Sequence, residues 1–292
     1  MERAAFEVET PVVQTLVSPP PPKALTVAGS DSGAGAGIQA DLKTFAALGV
    51  YGCSALTAVT AQNTRAVLAV AEVPEEVVAA QIDAVLEDIG ADAAKTGMLS
   101  SAPIVEVVAD RLHAWGIDKL VVDPVMIAKG GDALLQPGAV DAIRSILLPI
   151  AYVVTPNLPE AEVLANISIR TEVDVREAAV RIAALGPRYV VIKGGHRNDE
   201  PIDVLYDGKD YDEFDGERIA TSNTHGTGCT FSAALAAYLA RGEEVVAAVG
   251  GAKRFVTEAL RASYPIGDGH SPVNHFYAVR FDAAPMTALE ER

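Results

Sequence analysis

Two rhythms of apolar residues alternate along this chain. Short apolar runs of strand length occupy 24–28, 54–61, 92–95, 120–122, 152–155 and 189–193. Between them, apolar positions recur every three to four residues over 38–48, 75–89, 104–115, 139–147, 159–164 and 175–185. In 75–89, Val78, Ile82, Val85 and Leu86 share one helical face and acids take the other. Strand-length runs that alternate with helical stretches predict an α/β fold: a doubly wound, mostly parallel central sheet with helices on both faces. A small hairpin is predicted around Asp207-Gly208, with arms at 204–206 and 209–213. Residues 1–23 end in Pro19-Pro20-Pro21-Pro22, which suits neither a helix nor a central strand. They read as an extended tail, or as an arm lying on a partner subunit. Residues 24–292 read as a single domain, because no linker-like stretch interrupts them.

Composition narrows the class. Half of the 292 residues are apolar and few are aromatic, as suits parallel strands buried on both faces. A net charge of −16 argues against nucleic acid and anionic membranes as partners. No apolar run is long enough to span a bilayer. Cys53 and Cys229 have no metal-ligand spacing around them, and Cys53 reads as core. Few thiols and no secretory signal place the expectation in the cytoplasm.

The chemistry collects at strand ends. Gly29–Gly37, Gln62-Asn63, Lys95–Met98, Asp123–Met126, Thr155–Asn157 and Lys193–His196 each follow a predicted strand. Open sheets of this class bind ligands there. The first of these loops contains G-x-G-x-x-A, but 42–71 holds no Asp or Glu to grip a dinucleotide ribose. Its glycines are read instead as backbone that wraps a small substrate, with Asp41 nearby. No GxxxxGK[ST] motif is present to serve as a phosphate loop.

The phosphate device is placed at Asn223–Thr230, where two glycines lead into an apolar helical run. Helix N-terminal N–H groups lack intrahelical partners and carry partial positive charge. Glycines let an anion approach that backbone closely. Gly226, Thr227 and Gly228 therefore suit a transferring phosphoryl group, and Cys229 sits where a thiol is expected to lose its proton more easily.

Other residues admit two readings. Gln62 can read a 4-aminopyrimidine edge, or close a turn with Asn63. Asp123 can serve a metal, orient Lys193 or cap a turn. Lys193 can meet a bound phosphate or pair with Asp123. Asn157 and Glu160 can form a capping box, or support hydrated Mg2+ through its waters. His196 and His225 receive no catalytic role.

The segments 28–52 (AGSDSGAGAGIQADLKTFAALGVYG), TAQNT, KTGML, DPVM, TPNLPEAEVL, VIKGGH and NTHGTGCT resemble, in this order, the hydroxymethylpyrimidine/phosphomethylpyrimidine kinase family of thiamine biosynthesis. The resemblance runs from about Ala24 to Phe276. It implies a ribokinase-like fold and two ATP-dependent phosphorylations, of 4-amino-5-hydroxymethyl-2-methylpyrimidine and then of its monophosphate. It puts Gln62, Asp41, Gly29 and Met98 on the substrate side. Asp123, Asn157, Glu160 and Thr224 fall on the ATP side, with Mg2+ held through water near Asn157 and Glu160. Cys229 becomes the base and Gly226–Cys229 the anion hole, with Lys193 beside it. A homodimer is compatible with this reading. Pyridoxal kinase, or an enzyme with both activities, is the closest alternative, and a catalytically silent sensor on the same scaffold is another. Gly33, Ala34 and Gly130 depart from the residues frequent in the family and bear on finer substrate preference.

Overall fold

The computed structural model describes residues 19–126, 135–194 and 201–279. The expectations for residues 1–18, Ala128–Gly131 and Gly195-His196 lie outside these. The chain runs β1 (Lys23–Ser30), α1 (Gly37–Ala47), β2 (Tyr51–Gln62), β3 (Val67–Glu72), α2 (Glu75–Asp88), β4 (Ala93–Thr96), α3 (Ala102–Ala114) and β5 (Leu120–Val122). It continues as α4 (Ala139–Ala142), β6 (Val153–Val154), α5 (Leu158–Ala165), α6 (Glu172–Ala183), β7 (Tyr189–Ile192), β8 (Asp203–Tyr206), β9 (Tyr211–Phe214), α7 (Thr227–Ala240) and α8 (Val245–Arg261).

All nine strands form one sheet in the order β3-β2-β1-β4-β5-β6-β7-β8-β9. The stretch from β2 through β7 is parallel, while β3, β8 and β9 join antiparallel at the two edges. The chain leaves β1 to its neighbour β2 and later returns on the other side of β1 as β4. This reversal opens a crevice beyond the carboxyl ends of the strands, where such sheets bind ligands.

The strands are apolar on both faces because helices cover both. Leu25, Val27, Val122, Val190 and Ile192 pack with α2 through α6, and Cys53 lies buried in that cluster. Ala24, Val121, Val153 and Val191 point the other way, against α1, α7 and α8. In α7, Thr230 through Ala237 are all buried, and its alanines let the helix lie close to the sheet.

Each predicted strand and helix is present, with ends shifted by a few residues. Lys23, assigned to the tail, already belongs to β1, where its ammonium caps the Ile89 carbonyl. The helix predicted over 139–147 is α-helical only to Ala142. It then widens to a π turn over Ile143–Leu147 and tightens to a 3-10 turn at Leu148–Ile150, where Pro149 has no N–H to continue the ladder. Two elements were not predicted: the edge strand β3 and the helix α8.

Candidate active site

The N-terminus of α7 fits against the loop after β1. Gly226 stands at φ +77°, and a methyl group on it would lie 1.8 Å from the Gly35 carbonyl oxygen. Only glycine can hold that turn without pushing the two loops apart. The Gly226 carbonyl accepts from Thr230 N at 2.8 Å, and the Thr227 hydroxyl donates to the Thr224 carbonyl. The next N–H groups, of Gly228 and Cys229, fall in the first helical turn, where intrahelical acceptors are missing.

Lys193 lies beside this turn. A methyl group on Gly228 would come within 3.4 Å of Lys193 Nζ. Lys193 Nζ donates to Asp123 Oδ1 at 3.0 Å, while Ser232 on α7 donates to Asp123 Oδ2 at 3.0 Å. Burial by itself would favour the neutral amine, but Asp123 and then Glu160 outweigh it and raise the Lys193 pKa. The ion pair predicted as one of two readings is therefore present, and it holds the ammonium at the edge of the anion hole.

Asn157 and Glu160 form the capping box. The Asn157 side chain accepts from Glu160 N at 2.9 Å, and the Glu160 carboxylate accepts from Asn157 N at 2.8 Å. Glu160 is also buried next to Lys193 and Asp123. Burial, opposed by Lys193 and reinforced by Asp123, raises its pKa to about 7. The cap and the charge cluster thus share a residue. The two neighbouring buried side chains of Asp123 and Glu160 carry the hard oxygen atoms that Mg2+ prefers. Among the described residues no group of three or more His, Cys, Asp or Glu side chains is arranged to hold a metal directly.

Cys229 corrects one expectation. Burial pushes its thiol up to about 11, opposed by Lys95 and reinforced by Asp123 and Asp41. The desolvation of a thiolate outweighs the favourable end of the helix, so the resting group is the thiol.

Asp41 pairs with Lys95. Its side chain is fully buried; its two oxygens receive Lys95 Nζ at 3.0 and 2.9 Å, and one accepts from the Thr26 hydroxyl at 2.6 Å. This carboxylate faces Lys95 and Thr26. Sequence reading placed Lys95 at a strand end but gave its side chain no role. The signal was available, because Lys95 ends an apolar strand just as Lys193 does, and an ammonium there needs a partner.

On the substrate side, Gly29 and Met98 pack against each other: a methyl group on Gly29 would lie 2.4 Å from the Met98 methyl carbon. Gln62 ends β2. The Ser32 hydroxyl clamps its backbone, donating to the Gln62 carbonyl and accepting from its N–H, both at 2.7 Å. Asp31 organises the first loop by accepting from Gly33, Gly35 and Ala36 N–H at 2.8, 3.0 and 2.8 Å. Ala34, where the family frequently has Gly, takes φ +61°, and Lys43 Nζ donates to its carbonyl at 2.8 Å. Thr224 contributes a carbonyl to the α7 start.

A glycine-lined helix start, the buried Lys95, and the partly buried Lys193 and Cys229 thus gather at the switch point of the sheet. The sequence profile of the phosphomethylpyrimidine kinase family matches residues 31–274. The chain belongs to this family. It is 51% identical over 268 residues to the hydroxymethylpyrimidine/phosphomethylpyrimidine kinase of Streptomyces coelicolor, covering 91% of this chain and 99% of the relative. It is 52% identical over 255 residues to a thiamine biosynthesis bifunctional protein of Geobacter sulfurreducens, 87% of this chain but only 52% of that longer protein. Among solved structures, an ADP complex of Bacillus subtilis pyridoxal kinase superposes with a TM-score of 0.82 at 42% identity, covering 89% of this chain and 99% of that one. The fold is ribokinase-like, and this member of the family is a phosphotransferase that uses ATP. No helix among the described residues is long and apolar enough to cross a membrane.

Proposed function

We propose that this kinase phosphorylates 4-amino-5-hydroxymethyl-2-methylpyrimidine and then its monophosphate, using Mg2+-ATP, in thiamine biosynthesis. The observation that carries the reading is the placement of Lys193, paired to Asp123, next to the N-terminal turn of α7 that ends in Cys229. Phosphoryl transfer asks for positioning and charge neutralisation more than for covalent chemistry. The N–H groups of Gly228 and Cys229 receive the oxygens of the transferring phosphoryl, and Lys193 neutralises their charge. The substrate hydroxymethyl points at Cys229, which takes its proton when ionised. Lys95 favours that ionised form, while the Asp41 carboxylate keeps Lys95 itself charged. Asp123 and Glu160, the latter tied to Asn157, are the groups that would hold Mg2+ through its waters, and the ion would supply charge neutralisation on the nucleotide phosphates. Gln62 and the Gly29–Met98 contact form the pyrimidine side.

Pyridoxal also offers a hydroxymethyl on a nitrogen heteroaromatic ring. The likeness to the Bacillus subtilis pyridoxal kinase favours a second, side activity on that substrate. A coupled ADP-release assay with hydroxymethylpyrimidine, its monophosphate and pyridoxal decides. Turnover of both pyrimidines above pyridoxal is expected; turnover of pyridoxal alone overturns the main reading.

A further inference from the structure

Lys193 has a second carboxylate beside it. In the antiparallel register Ile192 pairs with Val204, so the next position brings Lys193, at the end of β7, level with Asp203, at the start of β8 and on the same face of the sheet. The Lys193 ammonium nevertheless turns to Asp123 Oδ1, at 3.0 Å. Asp203 is engaged elsewhere. Its Oδ1 accepts from Gly194 N at 2.9 Å, and its Oδ2 meets Lys253 Nζ of α8 at 2.9 Å. Lys253 also donates to the Pro201 carbonyl. Only 5% of the Asp203 side chain and 12% of the Lys253 side chain are exposed, so neither charge is left to water.

Two carboxylates therefore flank one ammonium. A buried carboxylate without a cation is costly and draws in the nearest one. Burial raises the Asp203 pKa; Lys253 opposes it most, then the Gly194 N–H, and Lys193 adds to the opposition. The field of Lys193 thus reaches Asp203 already. With Lys253 in place Asp203 is neutralised, and Lys193 is left to Asp123, whose other oxygen accepts from Ser232 of α7 at 3.0 Å. The anion hole begins on that same helix. The backbone of Lys193 is fixed independently. Its N–H donates to the Pro156 carbonyl at 2.9 Å, and a methyl group on the next residue, Gly194, would lie 1.9 Å from the Ile202 carbonyl oxygen. The direction of the ammonium is what remains for the surrounding charges to decide.

We propose that Lys253 is a positioning residue for the phosphoryl transfer: by engaging the Asp203 carboxylate it leaves the Lys193 ammonium to Asp123 and the transferring phosphoryl. The inference rests on the phosphoryl-contacting role of Lys193. Lys253 acts from α8 without touching either substrate, through the charge it removes from the neighbourhood of Lys193. A role confined to folding would lower stability and leave kcat of the folded enzyme unchanged.

The test is kcat and KM for 4-amino-5-hydroxymethyl-2-methylpyrimidine, measured by ADP release, with thermal melts to check folding. Wild type is compared with Lys253→Met, Lys253→Gln, Lys253→Met/Asp203→Asn and Lys193→Met. Lys253→Met leaves Asp203 without its cation, and the Lys193 ammonium is drawn to it. kcat should fall by about 10–10²-fold, the loss that a displacement of about 1 Å produces, while the pyrimidine KM stays the same. Adding Asp203→Asn, which keeps an oxygen for the Gly194 N–H but carries no charge, should restore most of kcat. Lys253→Gln keeps a donor for Asp203 without the charge, should lose kcat as well, and decides the matter if Lys253→Met does not fold. Wild-type kcat in the Lys253 variants, or a loss that Asp203→Asn does not restore, overturns the positioning role. Wild-type turnover in Lys193→Met overturns the reading of Lys193 itself.

Discussion

Lys95 Nζ sits 2.9 to 3.0 Å from both carboxylate oxygens of Asp41, and both side chains are wholly buried. Burial pulls the two pKa values toward neutrality. Asp41 outweighs it at Lys95 and keeps the ammonium charged, whereas at Asp41 burial prevails over Lys95 and raises the carboxyl. The pair places a positive charge behind the thiol of Cys229, the one group nearby that opposes the effect of burial on it most strongly.

Breaking that pair from one side should be costly. Lys95→Met leaves Asp41 buried without its cation and is expected to destabilise the fold by about 3–5 kcal/mol. The double variant Lys95→Met/Asp41→Asn should recover much of this loss, because no uncompensated charge remains. Urea unfolding of wild type and the variants measures it. Equal losses in the single and double variants would show that the two side chains are not coupled.

Cys229→Ala should fold as wild type does, since alanine suits a first helical turn and the N–H groups stay in place. Its turnover should fall by about 10²–10⁴-fold, the usual span for a missing general base. In the wild type, burial holds the thiol near 11, so alkylation of Cys229 by iodoacetamide at pH 8 should be much slower than in the unfolded chain. Peptide mass spectrometry separates it from Cys53. Wild-type turnover in Cys229→Ala would remove the thiol from the reaction and leave the chemistry to Lys193, Mg2+ and the backbone.

Glu160 gives a pH dependence of unusual sign. Its carboxyl titrates near 7 in the fold against a usual 4.5. Between these values the native state binds more protons than the unfolded state, so stability falls as pH rises through about 4.5 to 7 and levels off above. The contribution is about 3 kcal/mol at most. Glu160→Gln keeps an oxygen acceptor for the Asn157 N–H and should remove this slope. Denaturant midpoints from pH 5 to pH 8 report it, and parallel curves for the two proteins would place the Glu160 titration elsewhere.

Gln62→Ala should weaken pyrimidine binding by about 2–4 kcal/mol, two hydrogen bonds to a desolvated ring. Nucleotide binding should survive, because Gln62 stands on the β2 side of the crevice, away from Lys193 and Asp123. Calorimetry with each ligand separately distinguishes the two effects. Unchanged pyrimidine affinity would take Gln62 out of the site.

Ala34→Gly should change stability by less than about 1 kcal/mol. The left-handed backbone at Ala34 is relieved, while the unfolded chain gains freedom. Thermal melts of the two proteins measure the balance, and a large loss would mean that the Ala34 methyl group makes packing contacts of its own.

Much of this protein was determined by the order of its residues alone. Apolar runs bounded by glycines and polar strand ends specify parallel strands, because a strand covered on both faces must be apolar throughout. The Gly226–Cys229 turn and the ends of the strands at Gln62, Asp123 and Lys193 were legible because loops with glycines or lone charges at those places have few structural uses. The edge strand β3 was not legible. Leu68 and Val70 are exposed, and no alternation of polar and apolar residues marks its face. Only the tertiary structure decided the pairings. That Lys95 faces Asp41 depends on α1 packing against β1, the neighbour of β4 in the sheet. That Cys229 remains a thiol depends on the packing around it and on the nearness of Asp123 and Asp41, which helix position cannot report. That His225 meets Asp31 across 194 residues follows from α7 abutting the first loop. Local sequence specifies which groups end each strand, but electrostatics depends on distance through space, and only the closed fold sets those distances.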